Sequence, residues 1–280
     1  MKLLSPAKIN LFLHVVRKRT DGYHDLFSLM CCIGLYDNIL IDFDATKLSV
    51  SCNHPRVPAD ESNLVYKAAA AFFNATGKPQ GIRIDIDKNI PVGAGLGGGS
   101  SNAATVLLGL NRHYGKPLPM KELMVMGRSL GADVPFFLFG KPALARGIGE
   151  KLEHYTRIPP YHVLLINPGY EVSTAEVYKN LNLGLTKCEK TLKEDTFKKE
   201  CFDVKRHLCN DLEAVTTSMH PDIKTVKQLL LKQGAAGALM AGSGPTVFGL
   251  FVDPQRAKEV CKSITQYRRE QMFLADLIIG

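Results

Sequence analysis

The stretch that most limits how this chain can fold runs from Asn89 to Leu107, NIPVGAGLGGGSSNAATVL. Gly93, Gly95, Gly97, Gly98 and Gly99 crowd together there, although glycine is entropically unfavourable to order. The preceding segment, GIRIDIDKNI (81–90), alternates strictly, with Ile82, Ile84 and Ile86 on one face, as a half-buried strand does. The next segment, SNAATVLLGLNRHYG (101–115), reads as a helix stopped by Gly115. Such flanks contradict the composition of a linker. Gly93, Gly95 and Gly98 spell G-x-G-x-x-G, but a dinucleotide fold asks for a continuous apolar strand before it and an acidic residue about 20 positions after it, and neither is convincing here. No Gly-Lys-Ser/Thr makes it a Walker loop. A cradle for phosphates remains: bare backbone N–H groups converge on an anion, and the helix N-terminus adds partial positive charge. Ser100 and Ser101 supply hydroxyls, one of which could equally be a helix cap. With no lysine of its own, the cradle must recruit charge from elsewhere.

The rest of the chain reads as alternating strands and capped helices. SPAKINLFLHVV (5–16) is an early strand that sets Lys8 and Asn10 on one face. TDGYH (20–24) signals a turn, and DLFSLMCCIGL (25–35) a returning strand. NILIDF (38–43) and KLSVSC (47–52) are further strands. NLVYKAAAAFFNATG (63–77), MKELMVMGRSLG (120–131), DIKTVKQLLLKQGA (222–235) and DPQRAKEVCKSITQYRREQ (253–271) read as helices, the last opened by Asp253 before Pro254. GADVPFFLFG (131–140) is a short turn into apolar residues. AAGALMAGSGPTVFGLFV (235–252) is strand, glycine turn, strand, and MFLADLIIG closes as a strand. The basic stretch 186–207 is expected to be helical or partly mobile. The expectation is an α+β chain of two domains meeting near residues 145–160.

Composition narrows the classes. The chain has 280 residues, of which 45% are hydrophobic and 22% charged, enough to bury a substantial core. No apolar run approaches a membrane span, and Pro6, Lys8 and Asn10 interrupt what would otherwise pass for a signal sequence, so a cytoplasmic protein is expected. The seven cysteines are irregularly spaced and contain no C-x-x-C, so free thiols are expected rather than a disulfide framework or a metal centre. The net charge of +8 suits either nucleic acid or a small polyanionic substrate. The densest basic cluster, FKKECFDVKRH (197–207), includes Glu200 and Asp203 and reads as a solvated helix face. No nucleic-acid motif accompanies it.

Three separated motifs now come together. PVGAGLGGGSSNAA (91–104) resembles the second motif of the GHMP kinases, PAKINLFL (6–13) their first, and AGSGPTVFGLF (241–251) their glycine-rich third. DGYH (21–24), GADVPFF (131–137), ARGIGEKL (145–152) and NDLE (210–213) resemble the members that phosphorylate a cytidine diphosphate substrate, rather than homoserine or mevalonate. The resemblance spans nearly the whole chain. It implies an N-terminal domain like the second domain of ribosomal protein S5 (1–152) and a ferredoxin-like C-terminal domain (153–280). It further implies ATP as co-substrate with Mg2+, a small-molecule acceptor, no nucleic-acid or membrane partner, and a monomer or homodimer. Metal ligands are not assigned.

By resemblance, Asp133 is the general base and Lys8 its partner. A carboxylate within reach can take a hydroxyl proton, and an ammonium keeps that carboxylate ionised while stabilising charge on the transferred group. Read without the family, Asp133 is a helix cap before Pro135 and Lys8 an exposed strand lysine. The ATP side would comprise Asn63, Pro91, Val92, Gly93, Ala94, Gly95, Leu96, Gly97, Gly98, Gly99, Ser100 and Ser101, although N-capping explains Asn63 equally well. The substrate side would comprise Asn10, Tyr23, His24, Thr174, Tyr178, Gly242, Ser243 and Gly244. Tyr23 and His24 resemble a cytosine-recognising pair, one ring stacking and one hydrogen-bonding; otherwise they are a turn with a surface histidine. Tyr178 could instead be helix packing, and the third motif a tight turn between strands. Arg17, where relatives favour glycine, and Ala241 and Pro245, where they favour small polar residues, depart from the pattern. So does Tyr178, where many relatives carry phenylalanine.

Overall fold

The computed structural model describes residues 1–78, 81–183, 188, 197, 200–265 and 270–280. Its contacts divide the chain into two compact units: Met1–Ala7, Tyr36–Val92 and Gly97–Gly140 form the first, and Lys8–Leu35, Gly93–Leu96 and Lys141–Gly280 the second. Two long strands, β1 (Lys2–Lys18) and β2 (His24–Asp42), contribute to both. The two strands expected over 25–35 and 38–43 are therefore one, because Tyr36 and Asp37 between them stay extended.

In the first unit the end of β2 pairs antiparallel with β4 (Arg83–Asp87), and β3 (Ser49–Cys52) lies parallel to β4. The alternation of β4 has its expected result. Ile84 and Ile86 are buried, while Asp85 and Asp87 hydrogen-bond Ser51 and Asn53 on the polar face. Helices α1 (Leu64–Thr76), α2 (Gly98–His113), α3 (Met120–Leu130) and α4 (Val134–Phe139) complete the unit. Phe72, Phe73, Val106, Leu107 and Leu110 are fully buried, which accounts for the apolar spacing of α1 and α2. Helix α2 starts at Gly98, three residues earlier than the side-chain pattern suggests, because two of the glycines form its first turn.

In the second unit β2 pairs with β5 (Ala143–Gly147), which pairs with β6 (Lys151–His154). The strands β7 (His162–Asn167), β9 (Gly237–Met240), β10 (Val247–Phe251) and β11 (Gln271–Ile278) form an antiparallel run in the order β11-β7-β10-β9. This is the strand order of a ferredoxin-like unit. Helices α8 (Asp222–Lys232) and α9 (Pro254–Thr265) bury Ile223, Val226, Leu230, Ala257, Val260 and Ile264 in the same core as Leu164, Ile166, Val247 and Phe251. Asp253 accepts from the N–H of Gln255, as its position before Pro254 suggests. Short elements α5 (Thr174–Lys179), α6 (Val204–His207), β8 (Cys209–Asn210) and α7 (Glu213–Met219) fill the connections.

Two further expectations change. Cys188 and Cys209 form a disulfide, so the thiols are not all free; Cys31, Cys32, Cys52, Cys201 and Cys261 are. Spacing could not show this, because the partners lie 21 residues apart with no motif between them. The cluster 197–207 is also not one solvated helix face. Phe197, Phe202 and His207 are buried, and α6 covers only Val204–His207 of it. Most of the stretch 186–207, namely 186–187, 189–196 and 198–199, lies outside the described residues, as does the expected helical end at 266–269.

Candidate active site

The glycine stretch is divided between the units, and each part has its own support. In the first unit Gly97 takes a left-handed backbone with φ 71°, and α2 begins with no side chain capping it. Its first N–H groups therefore have no side-chain cap, and Ser100 and Ser101 lie inside the helix rather than capping it. Ser101 is fully buried and its hydroxyl accepts from Ser5 Oγ at 2.8 Å. Ser100 stays half-buried, and a Cβ placed on Gly131 would sit 3.7 Å from its Oγ. The turn that leads to Asp133 thus lies against the start of α2. Asp133 occupies the N-cap position of α4 but makes no capping hydrogen bond, which removes the capping explanation. Asn63 does cap: its Oδ1 accepts from Val65 N at 2.8 Å, an arrangement worth about 1 kcal/mol. A Cβ on Gly99 would lie 3.7 Å from Leu64, so the start of α1 also borders this turn. Pro91 and Val92 lead in from β4.

A buried carboxylate holds that arrangement. Asp37 is fully buried and accepts from Lys88 Nζ, from the N–H groups of Asn89 and Ile90 at 2.8 Å each, and from Asn102 Nδ2 at 2.8 Å. Asn102 also donates to Ser5 Oγ at 2.9 Å. One acid therefore fixes both the entry to the glycine stretch and the first turn of α2. Nothing in the local sequence around YDN announces it.

In the second unit Lys8 is buried, not an exposed strand lysine, at 4% exposure. Its Nζ donates to Asn10 Oδ1 at 2.8 Å, and Asn10 Nδ2 donates to Ser28 Oγ at 2.8 Å. Ser28 in turn donates to the carbonyl of Phe12 at 2.6 Å. The relay fixes the ammonium on its strand. The backbone N–H of Lys8 also donates to the carbonyl of Leu96 at 3.0 Å, tying β1 to the glycine stretch. Gly95 packs against the third motif's turn, while Gly93 lies against the side chain of Glu171. Gly95 has φ 77°, and a Cβ there would be driven into the carbonyl oxygen of Ala241, so only glycine fits. Gly242 and Gly244 also take positive φ, of 53° and 88°.

The substrate-side residues group in the same unit. His24 and Tyr178 stack, with ring centroids 5.1 Å apart. Burial, helped by the charge of Lys18, lowers the His24 pKa below its ordinary value and so favours the neutral ring. A neutral imidazole both donates and accepts, which suits the edge of a base. Tyr23 is 58% exposed, its backbone held by Asp21 and Arg19. Arg17, the departure from glycine, reaches out to Asp25 at 2.6 Å and leaves the turn intact. Thr174 and Ser243 share a hydrogen bond of 2.8 Å. Asn210, from NDLE, donates to the carbonyls of Met240 and Gly242 at 2.9 and 2.7 Å, a clamp on the third motif that spacing does not reveal.

Comparison with known proteins supplies the family. The GHMP kinases N terminal domain matches residues 63–141, and the GHMP kinases C terminal matches 197–269. The 4-diphosphocytidyl-2-C-methyl-D-erythritol kinase of Syntrophus aciditrophicus is 49% identical, over 92% of each chain. A crystal structure of 4-(cytidine 5'-diphospho)-2C-methyl-D-erythritol kinase superposes with TM-score 0.82 and 35% identity over all of both chains. A homoserine kinase from Cytophaga hutchinsonii shares the fold at TM-score 0.74 but only 18% identity, over 100% of this chain and 94% of its own. From buried Lys8 to the uncapped start of α2, and at this level of identity, the chain belongs to the GHMP kinase family, an α+β group of ATP-using kinases, alongside relatives named 4-diphosphocytidyl-2-C-methyl-D-erythritol kinase.

Proposed function

We infer that this enzyme transfers the γ-phosphoryl group of ATP to the 2-hydroxyl of 4-diphosphocytidyl-2-C-methyl-D-erythritol, in the cytoplasm, for isoprenoid precursor synthesis. The observation that carries the reading is the 49% identity to a relative of that name along nearly the whole chain. The stacked pair of His24 and Tyr178 supports it, since an aromatic wall beside a neutral imidazole is what a pyrimidine base requires. Asp133 takes the proton of the tertiary hydroxyl, and Lys8, held by Asn10, stabilises charge on the group in flight. Such transfer relies on positioning and charge stabilisation more than on covalent chemistry by the protein. The ATP phosphates lie on the first turn of α2, with Gly93–Ser101 as their cradle, and Pro91, Val92 and Asn63 border the nucleotide. Tyr23, His24, Thr174 and Tyr178 take the cytidine; Gly242, Ser243 and Gly244 take the diphosphate side.

Mg2+ would enter with the nucleotide and neutralise phosphate charge. The donors near α2 fit a hard cation: the half-buried Ser100 hydroxyl and the Asp133 carboxylate offer oxygen only. The functional division is 1–152, carrying base and ATP loop, and 153–280, completing the substrate side. Among the described residues no helix is long and apolar enough to cross a membrane.

A substrate panel tests the reading through ADP release. Turnover is expected with the diphosphocytidyl compound and not with homoserine or mevalonate. The reverse pattern would reassign the chain to another kinase of the family.

A further inference from the structure

We propose that Cys188 and Cys209 form a reversible thiol–disulfide site whose oxidation state sets how firmly the substrate side of the second unit is held. The two cysteines are joined, with Cα atoms 5.8 Å apart, and close the chain between them. Cys188 is fully buried and Cys209 is partly exposed, so Cys209 is the less protected of the pair.

The residues after Cys209 give the bond its reach. Cys209 itself pairs with Phe12 of β1. The next residue, Asn210, clamps the carbonyls of Met240 and Gly242 in the third motif. The one after that, Asp211, is buried and accepts from Val15 N at 2.9 Å, His14 Nδ1 at 2.7 Å and Cys188 N at 3.0 Å. Burial alone would push the Asp211 carboxyl up, but the hydrogen bonds from His14 and from the Cys188 and Val15 N–H groups outweigh it and hold the pKa low. A single carboxylate thus ties the residue carrying one sulfur to β1, the strand of Lys8 and Asn10. Breaking the S–S bond frees Cys188 to leave Asp211, and loosens the run that anchors both β1 and the Gly242 turn. NDLE therefore acts here as a positioning segment: Asn210 holds Gly242 of the substrate side, and Asp211 holds β1 at His14 and Val15.

The exchange is balanced with a low-molecular-weight disulfide as oxidant. The Cys209 thiolate attacks R–S–S–R, forming a mixed disulfide and releasing R–S⁻, which takes up a proton. The Cys188 thiolate then attacks the Cys209 sulfur, the protein disulfide forms, and the second R–S⁻ leaves. Two electrons pass from the cysteine pair to the reagent, giving two R–SH. A dithiol reverses both steps.

The coupling to substrate rests on the function proposed above; the disulfide itself does not, and the test separates them. The full-length protein is poised in oxidised or reduced glutathione, quenched with acid and alkylated in denaturant so that the buried Cys31 and Cys32 also react, and its thiols are counted by mass spectrometry. Five reactive thiols are expected in the oxidised form and all seven in the reduced form, with the missing pair mapping to Cys188 and Cys209. The KM for the diphosphocytidyl substrate is expected to rise at least about fivefold on reduction, the low end of ordinary site-to-site coupling. Cys188→Ser and Cys209→Ser should each abolish this response. Seven thiols in both conditions, or a bond that a dithiol cannot open without denaturant, would overturn the site. An unchanged KM across a confirmed redox change would overturn the coupling. The two sulfurs and an Asp211 oxygen lie within 4.8 Å of one another, so stoichiometric binding of Zn2+ alone by the reduced protein would overturn the redox reading in favour of a metal centre.

Discussion

Asp133→Asn lowers turnover by roughly 10²–10⁴-fold, the loss expected on removal of a general base, while ATP affinity stays nearly intact. The substitution is nearly isosteric. Asp133 does not cap α4, so an amide breaks no helix bond there. The turn around it is closed by backbone, from Val134 N to the Gly131 carbonyl at 3.2 Å. Asparagine keeps the shape and the capacity to accept a hydrogen bond, but it cannot hold a proton. Single-turnover rates and nucleotide titration separate the two effects, and denaturant midpoints within about 0.5 kcal/mol of the parent confirm an intact fold. Near-normal turnover in this variant would remove Asp133 from the chemistry.

Asp37→Ala, by contrast, acts on the scaffold. It leaves the Lys88 ammonium, only 5% exposed, without its buried partner, and it strands the N–H groups of Asn89 and Ile90. Breaking one side of a buried ion pair costs about 3–5 kcal/mol. The expected result is a loss of that size in urea unfolding, together with a raised KM for ATP, because the same carboxylate holds Asn102 just after the first turn of α2. Pairing Asp37→Ala with Lys88→Met should recover part of the stability, since the uncompensated charge is gone, but not the nucleotide affinity. A loss below about 1 kcal/mol would mean that water or another group satisfies Lys88, and that the carboxylate is not the anchor of the loop.

How far these features are legible in sequence depends on the range of the interactions that make them. The alternation of 81–90 and the apolar spacing of α1 are local, and both elements form, the strand over the shorter span Arg83–Asp87. The cap at Asn63 is local too. The start of α2 lies earlier than its side chains suggest because glycine argues against helix locally, whereas the Ser5, Asn102 and Asp37 bonds that hold the first turn come from other parts of the chain. Lys8 reads as an exposed strand lysine until Ser28, on the neighbouring strand, shows what holds its partner Asn10. Asp37, Asn210 and the pairing of Cys188 with Cys209 carry no periodic signal, since their partners are distant in sequence.

The hydrogen bond from the Lys8 amide to the Leu96 carbonyl makes that one amide a built-in gauge. It sits on a buried strand yet answers to a partner inside the glycine stretch. Its deuterium uptake therefore times the opening of the stretch rather than the fraying of the sheet. A ligand that quiets the stretch should slow exchange at Lys8 ahead of its strand neighbours, so peptide-level exchange could rank nucleotide-site inhibitors without any substrate in the tube.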